Sequence, residues 1–282
     1  MDIARFRREL ARRFPGGDLY SAPLDSRFDR VIEQVDGMSS THSLTLLNVA
    51  AGCLGDNEWY LEVGSYRGRS LVGATLDHDH GRFAAIESFR EFVDQHPDDS
   101  HQVVLSTLAS WGIDSRVQFL RGDAFRLLPS GAVPGPVGVY FYDGAHTRLA
   151  QWLALAVAEP WLADEALVVI DDTSWPQVDR STRHYVRHHL GYDLIYDLAA
   201  DPDGNTRWRD GVKVYAWRRP ATWRPPSGWP LIWRRFAHLR LQEPVHALAW
   251  RTVPRFPRLA TILRRVYFND SRASRSGDRS AR

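Results

Sequence analysis

A short stretch of the sequence, YLEVGSYRGRS, joins an apolar run to two glycines. The apolar run ends at Val63 and predicts a buried strand, while Ser70 stands where a helix is expected to begin. Gly64 and Gly68 let the backbone turn sharply between these elements and pass close to a ligand. The spacing therefore predicts a ligand-binding turn at the end of a strand.

An acidic residue follows this turn at a distance typical of nucleotide sites. Glu87 closes the next apolar run, FAAIE, 23 residues after Gly64. A glycine turn followed by an acid that pairs with ribose hydroxyls is the arrangement of a nucleotide site at the edge of a parallel sheet. The spacing G-x-x-x-G differs from the G-x-G-x-x-G of nicotinamide and flavin enzymes, which favours S-adenosylmethionine over a dinucleotide. A purely structural glycine turn is the alternative.

Two further apolar runs end in polar residues that can do chemistry. The run VGVYFYDGAH ends with Asp143 and His146, and the run ALVVIDD ends with Asp171 and Asp172. The segment between them, TRLAQWLALAVAEPWLADE, has the length of a helix, so the three form a strand–helix–strand unit with parallel strands. We therefore expect the four polar side chains to meet at one edge of the sheet, beside the glycine turn, where open α/β sheets bind ligands.

The glycine turn, DGAH and DD, in this order, resemble the motifs of class I S-adenosylmethionine-dependent methyltransferases, and within that superfamily those of the macrocin O-methyltransferase group. The resemblance spans residues 37–218. It implies an α/β fold with a doubly wound, mostly parallel seven-stranded sheet of the Rossmann-like type, closed by an antiparallel hairpin. It also implies methylation of a hydroxyl on a sugar or small metabolite, such as a natural product or a glycan.

The resemblance gives a role to each polar residue. It implies Mg²⁺ held by Asp143, Asp171 and Asp172, with His146 as general base, and a contact between Asp123 and the adenine amino group. Hard oxygen ligands suit Mg²⁺, which would lower the pKa of a bound acceptor hydroxyl. The predicted catalytic residues are thus His146 and Asp143. The predicted cofactor-binding residues are Glu62, Gly64, Ser65, Tyr66, Gly68, Ser70, Glu87, Ser88 and Asp123.

These residues also have structural interpretations that the sequence leaves open. Asp171 and Asp172 could cap the turn that follows them, and His146 could begin a helix. Asp143 could bond backbone amides, and Asp123 could be an exposed residue that caps a helix. Glu62 could be a buried acid bonded to loop amides. A non-catalytic S-adenosylmethionine-binding or membrane-associated interaction protein is the alternative function, and the glycine spacing argues against a nicotinamide oxidoreductase. The expected partner is a small-molecule or glycan acceptor and not a nucleic acid, and self-association into a homo-oligomer stays open.

The composition is that of an ordinary globular protein. Of the 282 residues, 44% are hydrophobic, and the only cysteine is Cys53, which excludes an internal disulfide. No apolar run reaches the roughly 18 residues of a membrane-spanning helix, and the first residues lack the apolar core of a secretory signal. We therefore expect a cytoplasmic protein, with peripheral contact at the inner membrane surface as an alternative.

The chain is predicted to have three parts: an N-terminal helical segment (1–38), an S-adenosylmethionine-binding methyltransferase domain (39–219) and a basic tail (220–282). In the N-terminal segment, the apolar residues Ile3, Phe6, Leu10 and Phe14 fall on one helical face and predict a helix that docks on the domain.

The tail differs from the rest of the chain in charge. Residues 221–282 hold 13 arginines and three acidic residues, a net charge of +10, so the remainder must carry −8 to give the total of +2. Apolar spacing predicts short helices at 231–241 and 259–267, followed by a disordered end. Such a basic amphipathic segment suits an anionic membrane or an acidic partner. The alternative is that the tail folds back on the acidic core.

Overall fold

A seven-stranded sheet forms the centre of the computed structural model, which describes residues 1–79, 81–90, 97–200, 207–242 and 244–245. The strands are β1 (Trp59–Val63), β2 (Arg82–Glu87), β3 (Val117–Arg121), β4 (Val137–Tyr142), β5 (Leu162–Ile170), β6 (Tyr192–Leu198) and β7 (Val212–Arg218). Their order in the sheet is β3-β2-β1-β4-β5-β7-β6. Strands β1 to β5 pair in parallel, and β7 pairs antiparallel with both β5 and β6. The predicted fold class is confirmed, including the closing antiparallel hairpin.

Helices cover both faces of the sheet. They are α1 (Ile3–Arg12), α2 (Arg27–Gln34), α3 (Thr41–Ala51), α4 (Arg69–Thr75), α5 (Pro97–Ser110), α6 (Ala124–Leu127), α7 (Arg148–Ala158), α8 (Pro176–His188) and α9 (Trp229–Phe236). Within the described part of the chain, none of them is both long enough and apolar enough to cross a membrane.

Burial on both faces explains why the central strands read as continuous apolar runs. All six residues of β4 are buried. Val139 and Phe141 face one core with α1, α3 and α4, while Tyr140 and Tyr142 face a second core with α7 and α8. Successive side chains of a strand point to opposite faces, so a strand that is covered on both sides has no polar position to alternate with.

The N-terminal segment packs as its apolar spacing predicts. Ile3, Phe6 and Leu10 of α1 are at most 5% exposed and belong to the first core. The connection between α2 and α3 is held by Arg69, whose guanidinium donates hydrogen bonds to the carbonyls of Val35 (2.6 Å) and Ser39 (3.3 Å). This arginine therefore fixes the loop that covers the glycine turn.

Two boundaries differ in detail from the sequence prediction. The helix after β4 ends at Ala158, because Pro160 follows within a 3-10 turn and β5 begins at Leu162, so LADE belongs to the strand. Helix α3 begins after Ser40, whose side chain is its N-cap and accepts a hydrogen bond from the amide of Ser43 at 3.2 Å.

The described part of the tail folds back on the domain. After α9 the chain continues as a π-helical segment, Ala237–Gln242, and Leu231 and Leu239 pack against the second core. Arg234 lies over the ring of Trp152 in α7, 4.3 Å from its centroid. This is the alternative stated above for the tail. The predicted helix at 259–267 and the predicted disordered end lie outside the described residues.

Candidate active site

The carboxyl ends of five parallel strands form one row. Backbone hydrogen bonds join each strand end to its neighbour: Gly122 to Glu87 (2.9 Å), Gly64 to Ile86 (3.0 Å), Asp143 to Val63 (2.8 Å) and Asp171 to Tyr142 (3.1 Å). Neighbouring strands lie about 4.8 Å apart. The acidic residues that follow β3, β2, β4 and β5 are therefore spaced along a single edge of the sheet, with the glycine turn of β1 in the middle.

A cleft lies along this row of strand ends. Five of the predicted cofactor-binding residues line it: Gly64, Tyr66, Glu87, Ser88 and Asp123. Asp143, His146 and Asp172 line it as well. The structure thus brings the glycine turn, Glu87 and the DGAH motif into one cavity, as the strand–helix–strand argument predicts.

Gly64 makes this close approach sterically feasible. Its φ is +94°, and a Cβ at this position would overlap the backbone carbonyl of Asp143. Gly68 also has a left-handed φ of +89°, but a Cβ there would meet only the Thr107 methyl, at 3.8 Å. The first glycine therefore lets two strand ends meet, whereas the second serves the backbone turn alone.

Glu87 is held with its carboxylate toward the turn. It accepts hydrogen bonds from the amides of Tyr66 (2.9 Å) and Phe89 (2.7 Å). Burial raises the pKa of this carboxyl, while the backbone amides oppose that rise. Tyr66 and Phe89 have left-handed φ values of +47° and +55°. Non-glycine residues in this region are uncommon, and such strain concentrates at functional sites.

Glu62 lies beneath the turn and does not reach the cleft. Its side chain is fully buried and accepts hydrogen bonds from the Ser70 hydroxyl (2.7 Å) and the Tyr60 hydroxyl (3.0 Å). Burial raises its pKa to about 7. Ser70 and Ser65 are 5% and 3% exposed. Gly68, like these residues, is absent from the lining of the cleft. Glu62 is thus a buried acid, as the alternative interpretation stated, but its hydrogen-bond partners are hydroxyl groups and not loop amides.

The polar cluster at β4 and β5 consists of Asp143, His146 and Asp172. One donor atom from each of them lies within 4.8 Å of the other two. Nε2 of His146 is 2.7 Å from Oδ2 of Asp172 and 3.6 Å from Oδ1 of Asp143. The imidazole also contacts the Trp175 ring, with centroids 5.1 Å apart. Two carboxylates and one imidazole thus face the same small volume.

The carboxylates of this cluster repel one another, which makes it a candidate site for a cation. Burial raises the pKa of Asp143 to about 6, the Asp172 carboxylate adds to the rise, and His146 opposes it. Burial likewise raises the pKa of Asp171, as do the neighbouring Asp143 and Asp172. Several buried carboxylates so close together favour proton uptake or a bound cation. The oxygen donors fit Mg²⁺, and the imidazole is compatible with other divalent ions.

Asp171 is arranged differently from its neighbour. Its Oδ1 accepts a hydrogen bond from the amide of Asp172 at 2.9 Å, so the side chain turns back on the backbone. Among the described residues, the group of potential metal ligands contains Asp172 and His146 but not Asp171. A role for Asp171 as third ligand stays a prediction. Asp172 has a left-handed φ of +56°, which directs the chain sharply after β5.

Several residues that line the cleft are not predicted from the sequence. Met38 comes from the loop before α3, Arg90 from the loop after β2, and His238 from the tail. None of them belongs to a motif, and their loops approach the sheet edge only through tertiary packing. In the sequence, Tyr142 is an ordinary residue of an apolar strand, yet it also lines the cleft. Its hydroxyl donates a hydrogen bond to the carbonyl of Ala145 at 3.0 Å.

A family model described as a methyltransferase domain matches residues 61–173. Over these residues the chain is similar to a methyltransferase domain. The matched residues of this methyltransferase domain run from β1 through the DGAH motif to the paired aspartates, so they include the whole row of strand ends. No curated protein matches the chain significantly.

Solved structures show the same fold. A cofactor-bound protein from MTB, Rv0187, is 18% identical with a TM-score of 0.52, and the match covers 68% of this chain and 87% of that one. The O-methyltransferase TomG from Streptomyces achromogenes, in complex with SAM, is 20% identical with a TM-score of 0.51 over the same shares. An O-methyltransferase from Bacillus cereus in complex with SAH is 12% identical with a TM-score of 0.52, covering 70% and 92%. At these identities the likeness concerns the architecture of the methyltransferase domain.

Proposed function

We propose that this protein is a divalent-cation-assisted O-methyltransferase that uses S-adenosylmethionine to methylate a hydroxyl of a sugar or small metabolite. The observation that carries the proposal is the position of Asp143, His146 and Asp172 in the same cleft as the glycine turn and Glu87. A cofactor along the β1–β3 strand ends would have its methionine end beside the cluster at β4 and β5. The fold likeness to TomG and to the Bacillus cereus O-methyltransferase agrees with this proposal.

The residues of the cleft suit the parts of the cofactor in the order of the strands. Asp123 comes shortly after β3 and suits the adenine amino group, and Glu87 is the last residue of β2 and suits the two ribose hydroxyls. Gly64 and Tyr66 follow β1 and would flank the methionine part. The adenine, ribose and methionine parts of the cofactor would thus follow the order of the strands, because β3, β2 and β1 are neighbours in the sheet.

Near β4 and β5, side chains of the protein can activate an acceptor hydroxyl for methyl transfer. Asp143 and Asp172 would hold the cation, with Asp171 as the further predicted ligand. When bound, Mg²⁺ supplies Lewis acidity that lowers the pKa of a coordinated hydroxyl. His146 would accept the hydroxyl proton, and the adjacent Asp172 carboxylate stabilises the imidazolium that forms. The contact with Trp175 restricts the orientation of the imidazole.

We further propose that residues 39–219 form the catalytic domain, with 1–38 and 220–282 as additions to it. The acceptor would be a small molecule or glycan, in keeping with a macrocin-type reaction on hydroxyl groups. A non-catalytic S-adenosylmethionine-binding protein is the competing function. The cation cluster favours the enzyme, because binding of the cofactor alone needs no group of carboxylates at β4 and β5.

A two-step experiment tests this proposal. Calorimetry with S-adenosylhomocysteine first establishes cofactor binding, with NADH as the comparison ligand. Methyl transfer from labelled S-adenosylmethionine is then measured on a panel of hydroxylated metabolites and glycans, with Mg²⁺ and with excess EDTA. We expect binding of S-adenosylhomocysteine only, and product only with the cation. Preferential binding of NADH refutes the function, and full turnover in EDTA by metal-free protein refutes the role of the cation.

A further inference from the structure

The basic tail reaches the β3 end of the cleft through His238. This residue lies in the π-helical segment after α9, is 2% exposed and lines the cleft. Its ring meets the ring of Phe125 edge-to-face, with centroids 4.5 Å apart and an interplanar angle of 88°. An imidazole from a segment more than 110 residues away in sequence is thus inserted beside the first turn of α6.

The partner that His238 faces is Asp123. Nε2 of His238 lies 3.7 Å from Oδ2 of Asp123. The other carboxylate oxygen, Oδ1, accepts a hydrogen bond from the amide of Phe125 at 2.8 Å and caps α6. One oxygen of Asp123 is therefore committed to the helix, and the other points toward the imidazole and the cleft. Asp123 and His238 therefore lie side by side at the β3 end of the cleft.

The segment that carries His238 is anchored independently of this contact. Nε of Arg235 donates a hydrogen bond to the backbone carbonyl of Phe125 at 3.2 Å. Upstream, the Trp223 indole donates to the buried Glu159 carboxylate at 2.8 Å, and Leu239 packs on the second core. These contacts span both ends of the segment, so it forms part of the wall of the cleft.

We propose that the tail completes the cofactor site and that His238 is a binding residue for the purine ring. The inference rests on the proposed function, which locates the adenosine end of the cofactor at Asp123. A flat heteroaromatic ring would contact the imidazole and donate a hydrogen bond from its amino group to the carboxylate of Asp123. The tail is then part of the binding machinery, in addition to any role in association.

The test compares full-length variants by calorimetry. His238→Ala removes the ring, His238→Phe keeps the ring but removes its nitrogens, and Leu241→Ala is a control in the same segment at a side chain that is 51% exposed. Two probes are used: S-adenosylhomocysteine and 5′-methylthioadenosine, which shares the purine but lacks the amino-acid end. Thermal melting without ligand reports whether each variant is folded.

We expect His238→Ala to weaken both probes by the same factor, about tenfold. His238→Phe should melt like the wild type and still lose about threefold, and Leu241→Ala should bind like the wild type. Wild-type affinity in both folded His238 variants overturns the inference, as does a loss confined to S-adenosylhomocysteine. If the wild-type chain binds neither probe, the proposed function is wrong. If it binds both, the affinities of the His238 variants test the role of His238 separately from the proposed function.

Discussion

The backbone carbonyl of Asp143 occupies the space that a side chain at Gly64 would need. The two residues end adjacent strands, and the amide of Asp143 donates to the carbonyl of Val63 at 2.8 Å. The glycine of the turn proposed to bind the cofactor is therefore in direct contact with the backbone of an aspartate proposed to bind the cation. This contact joins the two halves of the site, because the turn that would receive the cofactor's methionine part lies against the carboxylates proposed to prepare the acceptor.

Gly64→Ala is expected to destabilise the fold as well as the cofactor site. The new methyl group would displace the start of the DGAH loop, which we expect to cost more than about 3 kcal/mol in the free energy of unfolding. Gly68→Ala is the matched control, since it has a similar φ but open space, and should cost only the left-handed strain of about 1–2 kcal/mol. Urea denaturation of both variants measures the difference. Equal losses would show that φ alone, and not the contact with Asp143, requires a glycine at residue 64.

The three aspartates are expected to contribute unequally to cation-dependent turnover. Asp143→Asn and Asp172→Asn should each lower turnover by roughly 10²-fold or more, because each removes a charged donor from the cluster. Asp171→Asn should retain more activity, since the Asp171 side chain is turned toward the amide of Asp172. Methyl transfer titrated with Mg²⁺ measures these effects, with binding of S-adenosylhomocysteine as the control. An Asp171→Asn defect as large as that of Asp143→Asn would support the three-aspartate ligand set that the resemblance implies.

His146 is expected to act as a base without being needed to hold the cation. His146→Ala should lower turnover by roughly 10²–10⁴-fold, while Mg²⁺ affinity changes little. The control is His184→Ala, at an exposed position on α8 away from the cluster. Single-turnover rates and calorimetry with the cation separate the two roles. A large loss of Mg²⁺ affinity in His146→Ala would make the imidazole a ligand, as its 2.7 Å distance from Asp172 allows.

Glu62 is expected to make stability depend on pH. Its pKa is raised from 4.5 to about 7 by burial, so the folded chain keeps this proton up to higher pH than the unfolded chain does. The folded state therefore binds more protons in this interval, and the free energy of unfolding falls as pH rises from 4.5 to about 7, by an amount of the order of 3 kcal/mol.

Glu62→Gln should remove most of this slope, since a neutral amide has no proton to release, and the Tyr60 and Ser70 hydroxyls can still bond to it. Urea denaturation at pH 5, 6, 7 and 8 provides the comparison, and Glu33→Gln, at an exposed position on α2, is the control. An unchanged slope in Glu62→Gln would assign the pH dependence to other groups.

The sequence alone determined the fold class and most of the row of strand ends. The apolar runs that end in Gly64, Glu87, Asp143 and Asp171 can be recognised because strands buried on both faces are almost continuously apolar until they end. Glu62 within β1 is an exception, and it is buried among hydroxyl partners. Parallel pairing then follows from the intervening helices, and it places these ends on one edge without any knowledge of the contacts. The family-model match over residues 61–173 covers this same part of the chain.

Tertiary structure alone decided which polar groups reach the cleft and which support it. Glu62 and Ser70 belong to the motif, yet they bond to each other beneath the turn, because alternate residues of a strand point to opposite faces. Asp171 and Asp172 are adjacent in sequence, but the left-handed backbone at Asp172 sends their side chains in different directions. His238 carries no sequence signal, since its place beside Asp123 depends on how α9 packs on α7. The spacing of residues along one strand is local, so it can be recognised in the sequence. The approach of a segment that is distant in sequence depends on packing, which no local pattern encodes.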